Sequence, residues 1–290
     1  MKVLITGAGG QVGCELLACA PAAWQISARN HAELDLANPA QLAAAIEGEQ
    51  PQLVINAAGY TLVDRAETEP ELAQEVNAEA PARLAELCGR DGIKLIHIST
   101  DFVFDGRGCR PYQTGDPTNP LGQYGASKLA GEHAVLDGLP GALVLRTAWV
   151  YSVHGSNFVK TMLRSMAQHD AVRVVCDQIG TPTWARALAQ AIWRAAERNL
   201  SGIHHWTDAG VASWYDFAVA IAEEGRTLGL LEQLPTVEPI SSSDYPTPAQ
   251  RPHFAVLDKQ ETWRALELQP PHWRVQLRTM LRDFKDRPDA

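Results

Sequence analysis

An apolar run from Val3 to Thr6 breaks into the turn TGAGGQVG, and the chain then enters a helical pattern that begins near Gln11. A strand, a glycine-rich turn and a helix in immediate succession leave few folds open, because the turn must be tight and must lie against both elements. Gly7, Gly10 and Gly13 are spaced by three, which differs from the G-x-G-x-x-G spacing of dinucleotide-binding turns. Glycines so placed can still do the same three tasks: turn the chain, let backbone N–H groups approach a pyrophosphate, and allow close packing of helix on strand. The helix amino terminus adds partial positive charge toward a phosphate. A bare glycine triplet is common in loops, and this one gains weight from opening an alternating pattern.

That pattern continues. Candidate strands at Trp24–Ser27, Leu53–Ala58, KLIHIST and Ala142–Trp149 are separated by helical stretches at Pro39–Glu47, about Glu71–Arg90 and Tyr124–Leu136. Nearly continuous apolar strands alternating with helices imply a parallel sheet covered on both faces, with ligands at the strands' carboxyl ends. The expected fold is α/β: a Rossmann-type doubly wound parallel sheet with a smaller, irregular α/β substrate-binding lobe. Regularity weakens after Val150, where NFVKTMLRSMAQ reads as a helix, RVVCDQIGTPT as a short strand and loop, and ARALAQAIWRAAER as a strongly amphipathic helix before the proline-rich SSSDYPTPAQRPH. Residues 1–149 are expected to form the dinucleotide-binding domain, with about 184–200 packing back on it, and residues 150–290 mainly the substrate lobe.

A net charge of −9 argues against a nucleic-acid or anionic-membrane partner, so any phosphate must be held locally. The five cysteines, at 14, 19, 88, 109 and 176, form neither a CxxC pair nor a small disulfide framework, and free thiols in a reducing cytoplasm are expected. No apolar stretch approaches membrane-spanning length, and the residues after Met1 enter a strand rather than a leader peptide. The His204–His205 pair lacks metal-ligand spacing with other donors, and no metal site is expected.

Chemistry concentrates at three positions. Lys128 follows Tyr124 by four residues, one helical turn on the same face, and Ser99 and Thr100 close the apolar run KLIHI. A phenol is a reluctant acid at neutral pH. A nearby ammonium and the positive nicotinamide of an oxidised cofactor are expected to lower its pKa and make Tyr124 a usable proton donor. Thr100 would donate a hydrogen bond to the oxygen on which charge develops, and Lys128 would also reach a cofactor ribose hydroxyl. The set points to hydride transfer to a carbonyl. Ser99 could serve the backbone instead, Trp149 could be core or cleft, and Arg251 could be solvated or could fork onto a diphosphate from a proline-stiffened loop.

The segments TGAGGQVG, LDLANP, NAAGYTLVDRAE, ISTDFVFDG, PLGQYGASKLAGE, LRTAWVYS, NFVKTMLR, DQIGTPT and YPTPAQRPH together resemble the dTDP-4-dehydrorhamnose reductases of the extended short-chain dehydrogenase/reductase superfamily, nearly end to end. The resemblance implies reduction of the 4-keto group of dTDP-4-dehydro-L-rhamnose, with Thr100, Tyr124 and Lys128 as the catalytic set. It implies a cofactor lined by Gly7, Gly10, Gln11, Val12, Gly13, Asp35, Leu36, Ala57, Ala58, Tyr60, Tyr124 and Lys128. Substrate contacts would come from Val63, Thr100, Phe102, Tyr124, Trp149, Asn157 and Arg251. Arg29, just past the second strand with no acidic neighbour in sequence, is expected to meet a 2′-phosphate, favouring NADPH with NADH possible.

Three departures stand out. Phe102 replaces a tyrosine common in the family, and Phe254 and Ala255 replace an Asn-Ser pair after RPH. Arg186 stands where some relatives carry a glutamate that helps hold magnesium at a dimer contact, so a monomer or weak homodimer without bridging metal is expected. Related dehydratases place an Asp-Glu pair after the threonine, and Phe102 cannot act as that base. The remaining alternatives are a reductase or epimerase of another nucleotide keto-sugar, and a non-enzymatic subunit similar to the regulatory subunit of methionine adenosyltransferase.

Overall fold

The computed structural model describes residues 1–287, so the last three residues of the expected substrate lobe, 288–290, lie outside the described residues. The amino-terminal half runs β1 (Lys2–Thr6), α1 (Gln11–Ala18), β2 (Gln25–Arg29), α2 (Pro39–Glu49), β3 (Leu53–Asn56), α3 (Val63–Ala66), α4 (Pro70–Gln74), α5 (Ala80–Asp91), β4 (Lys94–Thr100), α6 (Gln123–Gly138) and β5 (Leu143–Thr147). Asn38 caps α2 by accepting from the backbone of Ala40 and Gln41, with Pro39 at the first helical position. The single helix expected over Glu71–Arg90 is interrupted by a π-turn at Glu75–Glu79, which joins α4 to α5.

The second half comprises β6 (Val150–Tyr151), α7 (Phe158–Gln168), β7 (Ala171–Val175), β8 (Ile179–Gly180), β9 (Thr183–Trp184), α8 (Ala185–Arg198), β10 (Gly202–His205), β11 (Ala212–Ser213), α9 (Trp214–Leu228), β12 (Thr236–Ile240), α10 (Gln260–Leu266) and α11 (Trp273–Lys285). Six strands form one parallel sheet in the order β10-β5-β4-β3-β1-β2. The order reverses direction at β1, and the switch opens a crevice beyond the carboxyl ends of β1 and β3. Register brings Thr6 beside Asn56, Asn56 beside His97, and Thr100 beside Thr147, so loops of successive strands leave from one edge.

Apolar side chains cover the sheet on both faces, as its β-branched strands require. One layer joins Val3, Ile5 and Ile55 to Leu188, Ile192 and Trp206, so α8 packs on the sheet beside α1. The opposite layer joins Leu4, Val54 and Val144 to Leu42 and Leu84. A third core, around Phe217, Ile221, Leu277 and Met280, belongs to the carboxy-terminal half, where β7 pairs with β12 under α7, α9 and α11. Among the described residues no helix is long and apolar enough to cross a membrane, and all five cysteines are free thiols.

Candidate active site

A groove of about 670 Å³ lies at the β1–β3 crevice. It brings together Gly7, Gly10, Asp35, Leu36, Ala57, Ala58 and Tyr60 from the expected cofactor residues, and adds Asn30, Leu72 and Val76, which the sequence did not single out. The turn above it fits a dinucleotide. Gly7 has φ +73°, and a Cβ on Gly13 would stand 2.3 Å from the Gly7 carbonyl oxygen, so only glycine lets α1 meet the turn this closely. The amino terminus of α1 carries no side-chain cap, leaving backbone N–H groups for a phosphate. Gln11 and Val12 lie on α1 rather than in the groove; the Gln11 side chain bridges to Val150 O and to Asn157 in the second half of the chain.

Arg29 has an acidic partner that its sequence neighbours do not show. Its Nε and one terminal nitrogen both donate to Glu49 Oε1, at 2.9 and 2.7 Å. The acidic partner comes from the end of α2, twenty residues away in sequence, where local reading could not see it.

Thr100 ends β4, and Tyr124 and Lys128 share one face of α6. Tyr124 is half-buried as a residue, but its phenol oxygen lies deep, and burial pushes its pKa up to about 12; a hydrogen bond with Thr100 opposes the rise, and Asp101 adds to it. The sequence had suggested a lowered value. The difference is where the ammonium goes: Lys128 Nζ donates to Ile98 O at 2.6 Å and lies 3.5 Å from His97 Nε2. Lys128 is itself pulled down to about 8 by burial, against the opposing charge of Glu132. Thr100 Oγ1 donates to Asp101 Oδ1 at 3.0 Å and accepts from Phe102 N. The Asp101 carboxyl is buried, its other oxygen has no partner, and burial raises its pKa to about 7. Phe102 packs edge-on against the Tyr124 ring with centroids 5.4 Å apart.

Support for this set comes from residues that sequence reading missed. Asn77, buried in the π-turn, accepts from Tyr60 N at 2.9 Å and donates to Tyr60 O and to Ser127 Oγ, tying the groove loop to α6. His97 links Lys128 to Asn56, which accepts from Thr6. A π-turn widens a helix at functional sites more often than elsewhere, yet nothing in EVNAE signals one.

Of the substrate candidates outside this set, Arg251 alone lines a second pocket. A pocket of about 320 Å³ is lined by Phe158, Met162, Arg173, Trp214, Tyr245 and Arg251, among others. Trp149, held at φ +48°, does not line the pocket itself but stacks at 3.6 Å on Trp214, which does. Arg251 lines it while forking onto Asp64, at 3.0 and 2.8 Å; Val63 is the preceding residue and opens α3. Asn157 is committed locally: it caps α7, and its amide donates to Gln11 and to Ser152 O. Glu15 accepts from Ser152 and pairs with Arg186 at 2.9 Å, so both carboxylate oxygens have partners inside the chain. Among the described residues no group of three or more His, Cys, Asp or Glu is arranged to hold a metal ion.

A parallel sheet whose carboxyl edge gathers a glycine cradle and a Thr–Tyr–Lys set defines an oxidoreductase of the short-chain dehydrogenase/reductase type. The family model described as RmlD substrate binding domain matches residues 1–286, and the chain belongs to that family. It is 40% identical to a dTDP-4-dehydrorhamnose reductase of Burkholderia thailandensis, over 98% of this chain and 99% of that one. It is 41% identical to a probable dTDP-4,6-dihydroxy-2-methyloxan-3-one 4-ketoreductase of Streptomyces antibioticus, over 98% and 96%. Among solved structures, a dTDP-4-dehydrorhamnose reductase from Bacillus anthracis in complex with NADP superposes with a TM-score of 0.91 at 32% identity, covering 97% of this chain and 99% of that one.

Proposed function

We propose that the protein reduces the 4-keto group of dTDP-4-dehydro-β-L-rhamnose to dTDP-β-L-rhamnose, in dTDP-rhamnose synthesis, with NADPH preferred and NADH as the alternative. The observation that carries the reading is a deep, neutral phenol, Tyr124, beside Thr100 and one helical turn from Lys128, whose Nζ reaches Gly59 on the wall of the glycine-lined groove. The names of the full-length relatives supply the sugar nucleotide.

When bound in the groove, NADPH supplies the hydride. Everything else is done by the chain. Tyr124 gives its phenolic proton to the carbonyl oxygen as that oxygen becomes an alkoxide; an alkoxide is more basic than a phenolate, so the transfer runs downhill even from a pKa near 12. Thr100, with its hydroxyl between Asp101 and the phenol, orients the reacting oxygen. Lys128, whose Nζ reaches Gly59 on the groove wall, offers its ammonium to a cofactor ribose hydroxyl. The aromatic wall of the second pocket receives the nucleotide end, and Arg251 turns its fork from Asp64 toward the diphosphate. The free thiols support a cytoplasmic location, and the internal pairing of Glu15 with Arg186 supports a monomer or weak homodimer.

The test is NADPH oxidation, followed by nicotinamide absorbance, on dTDP-4-dehydro-L-rhamnose generated in situ, with the product identified by mass. Oxidation tied to dTDP-rhamnose formation is expected. NADPH binding without oxidation would overturn this substrate and favour another nucleotide keto-sugar, the reading that the Streptomyces antibioticus relative supports. Arg251→Lys is expected to raise KM for the sugar nucleotide about tenfold with little change in kcat, since an ammonium cannot reproduce a bidentate fork. An unchanged KM would remove Arg251 from the diphosphate.

A further inference from the structure

The next residue on the stripe that carries Tyr124 and Lys128 is Glu132, one further turn along α6 and fully buried. Its carboxylate gathers three elements. It accepts from Ser99 Oγ at 2.5 Å, from Arg146 Nε at 2.9 Å and from an Arg146 terminal nitrogen at 2.7 Å. Ser99 immediately precedes Thr100 on β4, and Arg146 lies on β5 directly beside Ser99 in register. Arg146 is braced in turn by Thr114 O, by His205 and by the face of Phe104.

Resting on the function proposed above, we infer that Glu132 is a positioning residue for the hydride-transfer site, fixing α6, and with it Tyr124 and Lys128, against the end of β4. Two features separate this from ordinary core packing. A buried ion pair is a weak contributor to net stability compared with apolar residues of the same size, so its presence one turn beyond Lys128 is not explained by stability. The partners are also the two strand residues that set Thr100, not distant parts of the core.

The charged and titratable groups around Lys128 are His97 on β4, Tyr124 and Glu132 on α6, and Asp101 just after β4; Arg146 on β5 faces Glu132. Burial of Lys128 disfavours the ammonium, His97 is held neutral by its own burial, and Glu132 is the charge that opposes the loss. Because the folded Lys128 sits below its ordinary value, activity that needs the ammonium is present below about pH 8 and lost above it. Removing the Glu132 charge moves that loss to lower pH.

The experiment compares wild type with Glu132→Gln, Glu132→Asp and Ser99→Ala, reading kcat and NADPH affinity from pH 6 to 10. Glu132→Gln is expected to shift the alkaline limb of both down by about 1 pH unit. Glu132→Asp, which keeps the charge, returns the limb to its wild-type position even at a lower rate. Ser99→Ala leaves the limb in place and lowers kcat several-fold with KM little changed. If Glu132→Gln does not fold, because Arg146 is left unpaired, the double variant Glu132→Gln with Arg146→Gln removes the pair as a neutral unit and reads the positioning role alone: kcat falls several-fold while the limb stays near its wild-type pH. A folded Glu132→Gln protein with both limbs at wild-type pH, or a folded double variant with wild-type kcat, overturns the inference. If wild type binds NADPH but reduces no keto-sugar, the proposed function fails, while the affinity limb still decides the role of Glu132.

Discussion

Tyr124→Phe lowers kcat for carbonyl reduction by about a thousandfold and leaves NADPH affinity within about threefold of wild type, measured by single-turnover absorbance and by titration of nicotinamide fluorescence. The magnitude follows from the usual worth of a positioned general acid, about 10² to 10⁴ in rate. The split between rate and binding follows from the structure. The ring, which packs edge-on against Phe102, remains, and only the hydroxyl beside Thr100 is lost. No other group in the site is both protonated at neutral pH and placed to replace it. Lys128 donates to Ile98 O, and the Asp101 carboxyl, with a pKa of about 7, is only partly protonated at neutral pH and is bonded by Thr100 through one oxygen. Near-normal turnover in a folded Tyr124→Phe protein would show that the proton comes from elsewhere, with Asp101 the next group to test.

The sheet was legible because its strands are locally unambiguous. KLIHIST, LVIN and LVLRT are mostly apolar and buried, and each pair is separated by a stretch long enough for a covering helix, so alternation alone implied parallel pairing. Boundaries moved by a few residues, as at the second strand, which begins at Gln25 rather than Trp24 and runs on to Arg29 because it pairs along the whole of β1. The π-turn at Glu75–Glu79 was not legible. Its cause is tertiary: Asn77 must turn inward to reach Tyr60 and Ser127, and EVNAE by itself favours a plain helix.

The candidate site divides along the same line. Thr100, Tyr124 and Lys128 could be read from chain order and helical spacing, and the cradle from the position of its glycines. What could not be read was how charges pair across the fold. Arg29 meets Glu49, Arg251 meets Asp64, and Glu132 meets Arg146, each at a distance in sequence where no pattern connects the partners. The direction of the Tyr124 shift failed for the same reason. Composition places an ammonium one turn away, but only the packed structure shows that it donates to a strand carbonyl while burial governs the phenol.

Gly13→Ala weakens NADPH binding by about a hundredfold or more and lowers the melting temperature by several degrees, measured by fluorescence titration and thermal unfolding. The added methyl would stand 2.3 Å from Gly7 O and 2.6 Å from Ala8 Cα. Both are backbone atoms, so no rotamer change relieves the clash, and α1 must move off the turn. Overpacking of this kind costs about 1–3 kcal/mol. The movement does not stay local, because Trp193 on α8 donates to Leu16 O and Arg186 holds Glu15, so α1 carries α8 with it or breaks both contacts. The binding loss is the larger effect, since a phosphate held by the amino terminus of α1 depends on N–H groups whose direction is set by that same contact. Gly48→Ala serves as the comparison. It lies exposed in α2 with nothing within 4 Å of the added methyl, and a helical glycine replaced by alanine gains about 0.5–1 kcal/mol. That variant keeps wild-type NADPH affinity with an equal or higher melting temperature. A folded Gly13→Ala protein that binds NADPH like wild type would place the dinucleotide somewhere other than the β1–α1 turn.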